Sequence, residues 1–312
     1  MLYYLLSTCF GSLSNILGQY FKNIGVFAEY NLMYVYFHID FINLAVFFVI
    51  YFVCKLRGTI HFSLKDTFLR KEEVPLVFFF AIPILASAYK TYMMNYIRLA
   101  DIEISAMVKP FCVCGLAIIF LGEKFYHFYI KYGLLAVIGF LIVNIEIIPF
   151  YFNSGTGRLS FSTSSYGNTN LKFLLPYLAL ASIGDVTRRY YCRQCKYTMQ
   201  GVCVEFVMFA LYGIIFLTFR NAFSFKILFS PYALIVSLIT ILHHFCLIHG
   251  VQKAHSVTAL EFVNFSKIIF TIIFSYLILG YRAPGYKIVG AIIIAVTLIL
   301  FNRRLRKIAK KH

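Results

Sequence analysis

Long apolar runs alternate with short polar breaks along this chain, and the runs have the length of helices that cross a membrane. A hydrocarbon core about 30 Å thick and a rise of about 1.5 Å per residue ask for about 20 apolar residues per span. Ten segments answer to that: residues 2–20, 32–54, 74–97, 104–121, 127–150, 172–191, 203–219, 230–250, 258–279 and 284–302. The fourth and seventh are short, which implies tilt or partial penetration. No strand-length alternation recurs, and lipid tolerates no open sheet edge, so helices are the expected choice. The expected fold class is an all-α polytopic membrane protein with about ten transmembrane helices in two inverted five-helix repeats.

The expected organisation follows from one polar interruption. The stretch NSGTGRLSFSTSSYGNTN, Asn153 to Asn170, is rich in Ser, Gly, Thr and Asn and predicts a flexible outer or luminal loop. Residues 1–152 then form the first five-helix repeat, 153–171 the loop, 172–302 the second repeat and 303–312 a basic cytosolic tail. An odd number of spans per half requires any repeat to be inverted.

Composition agrees with the pattern and fixes the class. With 61% hydrophobic and 13% charged residues in 312, a soluble fold would leave too much apolar surface in water. The 29 Lys and Arg against 12 Asp and Glu would suggest nucleic acid in a soluble protein. Here the excess reads as topology, and no nucleic-acid partner is expected. With the N-terminus inside, 18 of the 29 basic residues fall on the inner side, among them Lys55, Arg57, Lys65 and the tail RRLRKIAKKH; 8 fall outside, and Lys90, Lys109 and Lys267 lie within the membrane. Both termini are therefore expected in the cytosol, in a Golgi, endoplasmic reticulum or bacterial inner membrane. No cleavable leader is expected, because the apolar N-terminus lacks a basic leader and a small-residue cleavage site. Eight cysteines are scattered, and the pair in CRQC, Cys192 and Cys195, has no second pair at zinc-ligand spacing. No metal or other cofactor is expected, and the sequence holds no phosphate-binding loop for ATP.

Two lysines inside apolar runs need an explanation, since a charge at bilayer depth costs roughly 2.5 to 3.5 kcal/mol. Moving the fourth and fifth spans along the chain by 158 residues lays them on the ninth and tenth without a gap. Glu103 then meets Glu261, Lys109 meets Lys267, Leu121 and Gly122 meet Leu279 and Gly280, Ile130 meets Ile288, and Asn144 meets Asn302. Three of these pairs are polar types that spans avoid, which points to internal duplication. Lys109 lies 12 residues before Leu121 and Lys267 lies 12 before Leu279, so inversion brings both about 18 Å from opposite helix ends, near the midplane. Paired cations there suit a phosphate or diphosphate. Glu103 and Glu261 sit six residues from the lysines, on another face of their own helices, and are expected to act in gating or at an interface.

These features together resemble the drug/metabolite transporter superfamily. Inverted five-plus-five spans, LGEK closing the fourth helix, LGYR closing the ninth, and a lysine twelve residues before each of these leucines are most similar to the nucleotide-sugar transporters and sugar-phosphate translocators within it. The resemblance spans nearly the whole chain in architecture and the two helix pairs in motif. It implies that Lys109 and Lys267 contact substrate phosphates, and that the chain exchanges a phosphorylated organic anion, a nucleotide sugar against a nucleoside monophosphate. Pro110, next to Lys109, is more typical of the metabolite-exporter branch.

Further candidates carry bland and functional readings side by side. Lys90 either snorkels to headgroups or joins the substrate site. In YKTYMMNY, Tyr92, Asn95 and Tyr96 could line the cavity or anchor the interface. Asn264 heads a glycosylation sequon that has no meaning inside a span, and is placed with the substrate-binding residues. Asp40 and Glu205, ionisable within or at the edge of spans, are candidates for gating or coupling. His243, His244 and His249 could carry protons, or simply bond neighbouring helices. Asp185 and Arg188 read as a local ion pair one turn apart. The leading expectation is a secondary transporter and not an enzyme, with a small anionic solute and the bilayer as partners. The alternatives are an exporter of amino acids or drug-like metabolites, a membrane enzyme acting on lipid phosphates, and a channel or scaffold.

Overall fold

The computed structural model describes residues 2–27, 29–30, 32–58, 81–87, 89–90, 109–124, 126–143, 150–153, 158–161, 167–195, 197–254 and 256–309. The elements are α1 (Leu2–Asn23), α2 (Leu32–Leu56), α3 (Lys109–Leu121), α4 (His127–Val143), β1 (Phe150–Asn153), β2 (Arg158–Phe161), α5 (Gly167–Gln194), α6 (Thr198–Phe219), α7 (Phe225–Leu228), α8 (Pro231–Lys253), α9 (Val257–Asn264), α10 (Ser266–Leu279) and α11 (Gly285–Ala309). Residues 81–87 and 89–90 are also helical. Among the described residues, five helical stretches are long and apolar enough to cross a membrane: Tyr34–Leu56, Thr198–Phe219, Pro231–Lys253, Thr258–Leu279 and Gly285–Leu305. Two shorter ones, Lys109–Leu121 and His127–Val143, are also apolar.

The bundle is apolar on its outside, as a lipid-facing surface must be. Leu56, Ile119, Phe120, Phe219 and Phe229 stand largely exposed, while polar Ser12, Asn43, Ser182, Glu205, Ser237 and Glu261 are buried. That reversal of the water-soluble pattern identifies an all-α membrane protein. Within the segment expected as an outer loop, β1 pairs antiparallel with β2, Phe150 opposite Phe161 and Asn153 opposite Arg158. Phe, Tyr and Leu on either side of the Gly-rich turn favour such a ribbon over free loop.

Helices meet where side chains are small. On α4 and α11, a Cβ added at Gly290 would lie 2.5 Å from the Gly139 carbonyl oxygen, so these two glycines set the closeness of the pair. On α8, a Cβ at Gly250 would strike the backbone of Tyr4 in α1 at 2.9 Å. Helix α1 carries too many hydroxyls to count among the apolar helices and spends them on its neighbours. Ser7 and Ser14 bond His243 and Thr240 of α8, and Thr8 bonds Ser266 at the start of α10.

The matched Leu–Gly pairs end their helices in the same way. Gly122 and Gly280 both adopt the left-handed conformation, at φ 62° and 67°. Each lets the next amide donate six residues back, Glu123 to Ala117 at 3.2 Å and Tyr281 to Ser275 at 3.1 Å. This is the helix stop that glycine serves best.

Candidate functional site

Helix α5 supplies the site because its polar residues recur at every third position. Ser182, Asp185 and Arg188 face the bundle, while Leu175, Ile183 and Tyr190 face outward. Arg188 donates to Asp185 at 3.2 Å, as the spacing predicts. The pair is not merely local, however. The other oxygen of Asp185 takes the Lys109 ammonium of α3 in a close ion pair, and Arg188 reaches on to Glu205 of α6 at 3.1 Å.

The chain continues at both ends. Glu205, fully buried, meets Nδ1 of His244 in α8 at 2.9 Å. Lys109 also meets Glu261 of α9 at 3.3 Å, and Glu261 accepts from the Asn264 amide at 3.1 Å. Six ionisable side chains thus run in sequence through the bundle: His244, Glu205, Arg188, Asp185, Lys109, Glu261. Neighbours differ in sign at every charged link, which repays part of the desolvation that burial costs each group.

Two groups flank the chain. The Tyr4 side chain of α1 lies within electrostatic reach of Glu261, Asp185, Lys109 and Arg188. Asp40 of α2 lies within reach of His244 and Glu205, and shares a 3.4 Å bond with Asn43, which Ser237 of α8 holds at 2.6 Å. A cavity of about 10 Å³, room for roughly one water, opens between Tyr4, Asp185, Arg188, Val251, Leu260 and Glu261. Ser182 Oγ and Arg188 Nε are buried and, among the described residues, have no hydrogen-bond partner. Buried polar atoms of that kind call for an explanation in function.

The sequence expectations meet this geometry unevenly. Lys109, Asn264, Glu261, Glu205 and Asp40 all belong to the chain or touch its flanks. Glu261 pairs with Lys109 of α3, so its place is beside that lysine. Lys109 is compensated by two carboxylates, against the expectation of paired bare cations. Lys267 follows a break at Phe265 that divides α9 from α10. Its carbonyl accepts from Ser12 at 3.1 Å, and its charge lies within reach of His243. Lys90 is half-buried in the helical segment 89–90. Tyr92, Asn95, Tyr96 and Glu103 lie outside the described residues. Sequence reasoning undervalued Asp185 and Arg188, although the spacing of Ser182, Asp185 and Arg188 carried the signal, and it missed Tyr4, for which the sequence held none.

A second cluster closes one end of the bundle. Glu123, just past the α3 stop, accepts from Ser256 at 2.7 Å and from Thr258 at 3.5 Å, and faces Arg193 at 3.8 Å. Ser256 in turn caps α9 by accepting from the Ala259 amide. Arg189 donates to the Ala254 carbonyl, tying α5 to the same connection.

No protein-family model matches the chain, and no curated protein does. A solved crystal structure of a protein superposes on it with a TM-score of 0.65 and 13% identity, covering 96% of this chain and 98% of the other. That likeness shows a common fold over nearly the full length of both chains.

Proposed function

We propose that the chain is a secondary transporter working by alternating access, with two inverted repeats of five spans rocking about the buried ion chain. The observation that carries this reading is the chain itself, a run of charged side chains from both halves enclosed in an apolar bundle, where each has a high cost of burial and a functional default. The packing supports the repeat. Exchanging every span for the one five places along maps the contacts of α2 with α6, of α3 with α9 and of α4 with α11 onto themselves. The same exchange turns the contact of α1 with α10 into that of α3 with α5. It also turns the contact of α1 with α8 into that of α5 with the 81–87 segment, Tyr4 against Gly250 in the one and Gly184 against Pro83 in the other, and an added Cβ on the glycine would meet backbone at 2.9 Å in both cases. The break at Phe265 gives the discontinuous helix on which such sites are built.

The alternation of sign points to a solute that carries both charges, such as an amino acid or a related zwitterion. Its carboxylate would take Lys109 from Glu261, and its ammonium group would take the carboxylate so released. Exchange of a nucleotide sugar against a nucleoside monophosphate stands as the second reading, favoured by the convergence of Lys109 and Arg188 on Asp185. An anion displacing that carboxylate would meet two cations at once. The charge split favours cytosolic termini, with the Glu123 cluster on the same side.

Counterflow into proteoliposomes tests the reading with labelled alanine, glutamate, a nucleotide sugar and a sugar phosphate. We expect alanine counterflow by the wild type and none by Lys109→Ala. Nucleotide-sugar exchange without alanine movement would favour the second reading. No movement of any of the four would remove the support for both.

A further inference from the structure

The ion chain is short of one positive charge. It holds three carboxylates, Glu205, Asp185 and Glu261, against two permanent cations, Lys109 and Arg188. Asp40 and Lys267 flank it and offset each other in formal charge. Among the described residues of the ion chain, one further proton closes the deficit. The groups that face Glu205 are Arg188 and Cys192 from α5, His243 and His244 from α8, and Asp40 from α2. Of these, His244 is placed to take the proton. Its Nδ1 lies 2.9 Å from a Glu205 oxygen, so a proton on its ring stands beside that carboxylate. His243 is engaged elsewhere, with Nδ1 at 2.7 Å from the Ser7 carbonyl oxygen.

Resting on the transporter reading above, we propose that His244 and Glu205 form a proton site separate from the solute site, and that Arg188 couples the two. Protonation of the His244 ring turns imidazole into imidazolium beside Glu205 and brings these six residues to neutrality. The Glu205 charge is then met by His244, and the Arg188 guanidinium shifts its weight to Asp185. Asp185 in turn holds Lys109 less firmly, and Lys109 is freed for the solute. Loss of the proton reverses each step. Each group in the relay bridges its two neighbours at the distances given above, so the signal crosses from α8 to α3 through contacts already made. A solute and a proton are thereby bound together, which is what coupling to a proton gradient requires.

The chain contains no tryptophan, so a single introduced one reports on its surroundings alone. Phe209 packs edge-on against His244 with ring centroids 5.6 Å apart. In Phe209→Trp, reconstituted in lipid nanodiscs, we expect fluorescence to fall on acidification, because a charged imidazolium quenches a neighbouring indole. The fall should vanish with His244→Gln added. A fluorescence trace indifferent to His244→Gln overturns the proposal. Transport supplies the second measurement and does not need the tryptophan. With labelled alanine, wild-type proteoliposomes under a tenfold proton gradient should accumulate several-fold more solute than without it, and in His244→Gln the ratio of the two accumulations should fall to one. A response that survives His244→Gln refutes the coupling. If the wild type moves no alanine in either mode, the solute reading falls, and the fluorescence titration still decides the proton site.

Discussion

Lys109 and Lys267 hold matching places in the sequence and live in different surroundings. Lys109 sits between Asp185 and Glu261, two acids from helices of the other half. Lys267 stands just beyond a helix break, with its backbone carbonyl held by Ser12 and its charge near His243. The difference arises in the first helix of each half, which is the partner in both cases. Helix α5 offers carboxylate and guanidinium groups on its inward face, and α1 offers hydroxyls. Two lysines at matched places in the sequence thus have different neighbours, one in an ionic lock and the other at a hydroxyl-bonded break.

The largest consequence concerns the lysines themselves. Lys109→Ala leaves buried Glu261 without its cation and Asp185 with Arg188 alone, and removal of one partner of a buried pair costs about 3 to 5 kcal/mol. We expect a loss of that order in unfolding free energy, read by thermal or denaturant unfolding in detergent, where the bundle behaves cooperatively. Lys267→Ala should cost less, because the bond from Ser12 to its backbone carbonyl and the bond of Thr8 to Ser266 survive the truncation. Equal losses would dissolve the contrast.

The contrast also marks what could be read from sequence. The apolar periods announced the helices: α1, α2, α4, α6, α8 and α11 begin within a few residues of the expected spans, because helix length in lipid is set by a fixed thickness. The Leu–Gly stops were equally legible, since only the left-handed glycine ends a helix in that way. The lysines were visible as anomalies, but their partners were not. A charge on one helix is satisfied by whatever the opposing helix presents, and pairing between residues 76 and 152 positions apart leaves no local trace. The break at Phe265 was also hidden, because a run of Asn, Phe and Ser has no glycine or proline to announce it.

A double-mutant cycle sharpens the first result. If Lys109 and Glu261 stabilise each other, Lys109→Ala and Glu261→Ala together should cost less than the sum of the two separate losses, with a coupling of about 0.5 to 3 kcal/mol. The same cycle on Lys267 and Glu261 should give a coupling near zero. Strict additivity at Lys109 and Glu261 would mean that their 3.3 Å contact contributes nothing to the fold.

Where the surroundings agree, matched substitutions should agree too. Gly122 and Gly280 have the same positive φ and the same six-residue hydrogen bond, and a Cβ added at either would meet no other atom within 4 Å. The cost of alanine there is therefore conformational, about 1 to 2 kcal/mol for an L-residue in the left-handed region. Gly122→Ala and Gly280→Ala should lose stability by the same amount within error. A loss at one position alone would show that the two helix ends differ in a way their geometry conceals.

The smallest expected effect falls on the hydroxyl side of the comparison. Ser12 donates to the Lys267 carbonyl at 3.1 Å and receives a weaker contact from Thr271 at 3.4 Å. Thr8 and Ser266 share a 2.9 Å bond one turn away, and Ser266 also returns a bond to the Val263 carbonyl at 2.6 Å. The break is thus held from two sides, by α1 and by its own helix. Ser12→Ala removes one neutral hydrogen bond from a buried carbonyl, worth about 1 kcal/mol. The loss should be modest alone and should grow beyond additivity when Thr8→Ala is joined to it, because the second substitution takes away the remaining support from α1. A cysteine placed at Thr271 offers the readout: its labelling by a membrane-impermeant thiol reagent, on the cysteine-free background, should rise in the double variant if the hydroxyls hold α10 against α1. Unchanged labelling with both hydroxyls gone would mean that the break is fixed by α9 and α10 themselves, and that the two halves differ only in charge.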